Sequence, residues 1–410
     1  MTTPVTASAP GEAFATRFRA GEERGARIGR VLRLLGRVRE VDEDLMRELG
    51  QGFDRVDEPA AALVARMRAP GGPALRDVTA AVRAAVSGRQ PRADAPQELR
   101  RFVEVVTAEP DWLDREQVEA GAAVYRRLGR TAGDVLLQLS LIGGYRFGGP
   151  TDLLVATGGL TGDTTRRRVA ETQHWTVLVT EPGALLPGGP GWSATVHVRL
   201  MHAFVNHRFS HDDRWDQAHW GRPINQTDQA ATLGLFSGAL LVGARALGVP
   251  ISRHESDAVM HLWRYVGWLL GVDEAWLFAT EREQHRFSYH VLRAQDDVTP
   301  AGGELARSIV ATQSTLHFRR FAAWQRVYAP RRLLSMLRMF LGRQSLRELG
   351  LPVRLPWASV AAIAANTWRH RVLARTPWGR RRLQAWSRRY RDEQLRRYFG
   401  DDVPDVGAIS

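Results

Sequence analysis

Residues 194–213 read ATVHVRLMHAFVNHRFSHDD, with four histidines in fifteen positions: His197, His202, His207 and His211. Side chains three, four or seven positions apart share one face of a helix. His202 therefore shares a stripe with Val198, Val205 and Phe209, while His207 and His211 lie on another side. Apolar residues recur at the same spacing over 22–50, 58–68, 74–86, 114–128, 164–180, 193–210, 227–247, 255–270, 303–326 and 331–349. Strand-like alternation is scarce. The periodicity predicts an all-α fold.

Working outward, Gly/Pro-rich breakers separate the helices at 69–73, 87–96, 181–191 and 221–223. The segment 87–96, SGRQPRADAP, is the best linker candidate. No fixed period repeats, which argues against a solenoid. The expected layout is one large bundle-like domain: an N-terminal helical extension over 1–96, a core over 97–355, and an Arg-rich helical segment over 356–410 packed on that core.

Composition narrows the chemistry. Of 410 residues, none is Cys and none is Lys, so all 57 basic residues are arginine. Thiol nucleophiles, thiolate-bound metals, Schiff-base catalysis and the Walker lysine are thereby excluded. His, carboxylates, hydroxyls, Arg and a non-covalently held cofactor remain. The net charge of +13 is uneven: residues 319–397 hold 20 arginines against Glu348, Asp392 and Glu393. Interleaved aromatics there suit anionic lipid or nucleic acid, though no nucleic-acid motif accompanies them. The plain reading is helices with solvated arginine faces, and the stripe Leu333, Met336, Leu337, Phe340 and Leu341 reads as core-facing. Residues 1–20 lack an apolar signal core, and the apolar run from Gly234 is broken by Arg245. The expected location is cytoplasmic, with peripheral membrane contact through 319–397 as an option.

Two constellations carry candidate chemistry. One imidazole on the apolar stripe of a long helix, as at His202, suits an axial heme ligand; a neutral core histidine bonded to a carbonyl has the same spacing. His207 and His211, with Asp212 and Asp213, read either as a metal site or as solvated residues near a helix end. Earlier, RRRVAETQHW (166–175) sets Arg168, Glu171, Thr172 and Trp175 at i, i+3, i+4 and i+7. One face thus carries a cation, a carboxylate, a hydroxyl and an aromatic ring. By itself such an Arg–Glu spacing is a surface ion pair; opposite the His202 helix it could wall a pocket.

Five blocks then occur in order: PDWLD (110–114), RRRVAETQHW, VHVRLMHAFVNH (196–207), HWGRPINQTDQAATLGLFS (219–237) and AVMHLWRYVGWLLGV (258–272). Together they resemble the latex clearing protein (rubber oxygenase) and mpaB oxygenase superfamily over roughly Pro110 to Pro352. The resemblance implies a helical core related to globins, holding a non-covalent heme b. It places the proximal histidine at His202, in a block that also contains Arg199, with Asn206 and His207 where the rubber enzymes carry Arg and His. It places the distal Arg-x-x-Lys-Thr pattern on Arg168, Glu171 and Thr172, and an acidic base near Asp152. Glu171 stands where those enzymes have lysine, and no lysine exists here to replace it. The expected reaction is oxygen insertion at, or cleavage of, a carbon–carbon double bond in a terpenoid, lipid or polyisoprene-like substrate. Dioxygen is the co-substrate, and Trp175, Phe204 and Leu235 are expected to line the cavity. The alternative is a non-catalytic helical protein binding a hydrophobic ligand or a membrane surface.

Overall fold

In the computed structural model, which describes residues 14–158 and 162–400, every regular element among the described residues is helical. The chain opens with α1 (Glu22–Ile28), α2 (Arg30–Leu35), α3 (Glu43–Gly52), α4 (Glu58–Arg68), α5 (Leu75–Val86) and α6 (Gln97–Thr107). Next come α7 (Arg115–Leu128), α8 (Arg130–Val135), a π-helix (Leu136–Ile142), α9 (Pro150–Ala156), α10 (Gly162–Val179) and α11 (Pro190–Phe209). The second half holds α12 (Gln217–Trp220), α13 (Gln226–Phe236), α14 (Gly238–Ala246), α15 (Arg253–Leu269) and α16 (Glu281–Ala294). It ends with α17 (Pro300–Thr312), α18 (Ala322–Glu348), α19 (Trp357–Arg371) and α20 (Pro377–Phe399).

Several expected helices are cut, each for a local reason. The run 22–50 is three helices: Arg37 takes φ 52°, and the Asp42 carboxylate then accepts from Leu45 N to start α3 afresh. The run 227–247 breaks at Ser237 (φ −101°, ψ −92°). The run 303–326 stops at Thr312, and α18 begins only after Phe321, at φ 50°. Within α18, Gly342 (φ 77°, ψ 176°) kinks the 331–349 pattern. The segment 87–96 is a mostly exposed turn between α5 and α6.

The N-terminal helices share the main core. Met46, Leu49, Phe53 and Leu63 belong to the same buried cluster as Trp175, Leu200, Trp263 and Leu269, giving one all-α domain. Each such side chain contributes roughly 1.5–3 kcal/mol when fully buried. The helices α7 and α15 approach so closely that a Cβ on Gly121 would sit 2.2 Å from the Ala258 carbonyl oxygen. The C-terminal α20 packs on α10 and α7, where Gln394 donates to Gln173 (2.6 Å) and Ser387 to the Arg127 carbonyl (3.2 Å). The helices α10 and α11 pack side by side and contribute Trp175 and Leu200 to the main core.

Candidate active site

Pro190 lies in the first turn of α11, where its fixed φ suits a helix start. The helix then carries Arg199, His202, Asn206 and His207 past three different environments. Arg199 is buried, and Nε and Nη2 donate to both Asp57 carboxylate oxygens at 2.6 and 2.7 Å. Gly271 (φ 78°) leaves room for that pair, since a Cβ there would lie 2.4 Å from Asp57 and 2.7 Å from Arg199. Asn206 is buried and donates to the Pro223 carbonyl at 2.5 Å. Arg199 and Asn206 thus tie α11 to α4 and to the turn before α13.

His202 differs from both. Its Nδ1 is buried without a hydrogen-bond partner, yet the side chain keeps some accessible surface. Burial lowers its pKa, opposed by a hydrogen bond with Gln229 and by the charge of Asp57. Burial thus favours the neutral ring, the form that a metal ligand requires. His197 on the same helix also has an unpartnered buried nitrogen, Nε2. His207 is half-buried, and its carbonyl accepts from His211 Nδ1 at 2.8 Å. Asp212 holds Arg214 at 2.5 Å instead of turning to those rings. Among the described residues no three His, Asp or Glu side chains converge as a metal cluster.

On α10 the four residues expected on one face separate. Trp175 is buried against Phe236 and Trp263, and its indole donates to Thr195 Oγ1 of α11 at 3.1 Å. Thr172 is exposed. Arg168 leaves Glu171 to Arg167 (2.8 Å) and reaches the end of α9, donating to Thr157 Oγ1 at 2.8 Å and the Leu154 carbonyl at 3.2 Å. A guanidinium there meets the free carbonyls and negative end of that helix. Asp152 sits at the other end of α9, where Oδ2 accepts from Gly149 N (3.1 Å) and Thr299 Oγ1 (3.0 Å). Burial raises the Asp152 pKa against those two bonds. Asp152 and Arg168 are thus joined through α9, one at each end.

Four neighbouring elements leave rows of side chains incompletely buried. These are Val198, Met201, His202 and Val205 on α11; Arg168, Glu171 and Thr172 on α10; Gln229, Thr232 and Leu235 on α13; and Leu139, Leu141 and Gly144 in and after the π-helix. The helices α10 and α11 pack together, as do α13 and the π-helix, where Ser140 Oγ donates to the Leu235 carbonyl at 2.7 Å. The rows are the accessible side chains that α10, α11, α13 and the π-helix offer to a ligand. A π-helix is rare and favours functional sites. Phe204 is half-buried outside the rows, beneath the Arg68 guanidinium at 5.2 Å.

Sequence reasoning missed Gln229, Asp57, Thr157 and the π-helix. Gln229 lay inside a quoted block, but nothing in its spacing singled it out. Asp57 and Arg199 are 142 positions apart, a separation that no local pattern reports.

This chain is 24% identical over 229 residues to a rubber oxygenase from Streptomyces sp. (strain K30), an alignment covering 54% of each. It thus spans about half the length of that relative. Its fold matches a structure of latex clearing protein LCP in the closed state with a TM-score of 0.64 and 21% identity, covering 83% of this chain and 91% of that one. Residues 131–376 match the catalytic domain described as ER-bound oxygenase mpaB/B'/Rubber oxygenase, and the chain belongs to that family.

Proposed function

We propose that this protein is an oxygenase that holds heme b through His202 and oxidises a carbon–carbon double bond in a hydrophobic substrate. The observation that carries the reading is the His202 ring: burial favours its neutral form, and its buried Nδ1 makes no hydrogen bond. The half-buried Val198, Val205 and Leu235 supply the apolar lining that a porphyrin needs. When bound, heme would supply the redox chemistry by which dioxygen reacts with an alkene.

The chain's own residues would do the rest. Gln229 orients the His202 imidazole, and the Arg199–Asp57 pair fixes the helix turn just before it. Arg168 has five N–H donors, and the end of α9 engages only part of them. Those left can stabilise negative charge developing on an oxygen, with the exposed Thr172 hydroxyl as a second donor. Glu171, anchored by Arg167, would be the carboxylate that takes an allylic proton. The free Oδ1 of Asp152 is a second acceptor, and its bonds to Gly149 and Thr299 hold α9 and hence Arg168. Glu171 where the rubber enzymes carry lysine favours a terpenoid or lipid alkene over polyisoprene. Arg199, Asn206 and His207 belong to the helix that carries the ligand.

An absorption spectrum of protein expressed with ample heme tests this directly. A Soret band that disappears in His202→Ala, with helical content retained, is the expected result. Folded wild-type protein that stays colourless would overturn the reading. Carbonyl products trapped after incubating the loaded protein with dioxygen and a terpenoid alkene would identify cleavage.

A further inference from the structure

Sixteen large hydrophobic side chains are well exposed among the described residues, and ten of them fall between Phe321 and Trp378. The centre of that group is α19. Its inner side buries Ala358, Ser359 and Asn366, and Asn366 donates to Thr131 Oγ1 (3.1 Å) and the Leu247 carbonyl (3.0 Å). Its outer side presents Trp357, Val360, Ala364 and Trp368, at i, i+3, i+7 and i+11, all exposed. Val360 is 63% exposed and Trp368 57%. Ile363 and a set of small and polar residues thus seat this helix, while its tryptophans and Val360 turn outward, where an ordinary surface helix is polar.

The face extends beyond α19. Leu355, just before it, is 78% exposed. Trp324 on the first turn of α18 stacks on Tyr328 with ring centroids 4.5 Å apart, and Tyr328 meets Trp357 at 5.7 Å. The helix and its flanking sequence carry charge of largely one sign. No acidic residue occurs on α19, and residues 319–397 hold 20 arginines against three acids.

We propose that this face docks the protein on an anionic lipid bilayer. Charge complementarity selects that occupant. A second copy would bring the same patch onto itself and set arginine against arginine. Single-stranded nucleic acid could use the rings and guanidiniums but gives the exposed Val360 and Leu355 nothing to bury against. A bilayer takes the aliphatic groups below the headgroups, the tryptophans at the interface, and the arginines against anionic headgroups. Among the described residues no helix is long and apolar enough to cross a membrane, so the contact is peripheral. The proposal stands apart from the heme reading.

The experiment is co-sedimentation of the full chain with vesicles of phosphatidylcholine, alone or mixed with phosphatidylglycerol. We expect binding to the mixed vesicles that weakens as salt rises through ~0.1 M. The double variant Val360→Glu/Trp368→Glu should bind at least about tenfold less while keeping its helical signal and melting temperature. Leu34→Glu, on an exposed site of α2 outside the patch, should bind as wild type. If the double variant melts early, Trp368→Ser makes the same comparison. Failure of wild type to bind mixed vesicles at low salt overturns the proposal, as does an equal loss in Leu34→Glu. Two further outcomes would reassign the face. One is an oligonucleotide complex, without vesicle binding, that the double variant loses. The other is a concentration-dependent dimer that the same variant abolishes.

Discussion

Two regions of this molecule bury histidines and treat them in opposite ways. On α15 and α16 no buried ring nitrogen of His261, His285 or His290 is left bare. His261 Nε2 accepts from Asp114 N (2.9 Å), and His290 Nε2 accepts from Asp42 N (3.0 Å) while Nδ1 donates to the Arg286 carbonyl (2.7 Å). His285 pairs with Glu281 at 3.1 Å. On α11, His197 and His202 each leave a buried nitrogen bare. A buried imidazole whose nitrogens are engaged serves the scaffold; one with a bare nitrogen still has a position to offer a ligand or a water. Burial alone does not separate the two kinds. Hydrogen-bond accounting does.

The largest expected effect breaks the scaffold beneath the α11 pair. Arg199→Ala leaves Asp57 buried and uncompensated and should cost about 3–5 kcal/mol, read by urea denaturation of the apo-protein. A loss below about 1 kcal/mol would show that α11 does not depend on this pair. Next comes acid. Burial pushes the Glu281 pKa up, but bonds from His285, Arg245 and Ser256 outweigh it and bring it down to about 2. A depressed carboxylate stabilises the fold above its unfolded pKa, so this contribution, up to about 3 kcal/mol, is present above pH ~4.5 and lost as pH falls toward 2. Glu281→Gln should flatten that part of the pH–stability curve.

A smaller loss is expected from His290→Ala, which removes the acceptor for Asp42 N and should cost about 1–3 kcal/mol by thermal or urea unfolding. Burial also lowers the pKa of His261 and His290. Both must be neutral to accept, so stability is complete above pH ~6.5 and declines as pH falls below it. Replacing either with Gln should reduce that slope. The smallest effect on apo-protein stability is expected from His202→Ala, about 1 kcal/mol, since it gives up the hydrogen bond with Gln229 but none at Nδ1. The same variant should abolish the Soret band. A His202→Ala loss as large as that of His290→Ala would place His202 with the scaffold histidines and erase the contrast.

How much of this was legible in the sequence follows from the range of the forces involved. The pattern over 58–68 matches α4 residue for residue, and that over 193–210 lies within α11 apart from Ser210, because a buried stripe repeats locally. α16 was missed although its apolar residues are periodic, since charged residues crowd EREQHRFSYHVLRA. α19 was missed as a separate helix because its alanines and outward tryptophans give no inward stripe. At the site, the apolar neighbours of His202 pointed to it, and the ordered blocks gave its family. Its surroundings were not readable: Arg168 and Glu171 suit each other by spacing, yet Arg167 and the end of α9 took them. Such choices are made by tertiary packing, across distances that a helical period does not encode.

The bond from Trp175 to Thr195 has an optical consequence. It fixes one indole between α10 and α11, in ring contact with Phe236 and Trp263. A pigment held at His202 would accept excitation energy from these indoles, so their emission would dim as it binds. If heme binds there, the protein would carry its own gauge of occupancy, readable in a cuvette before any turnover is measured.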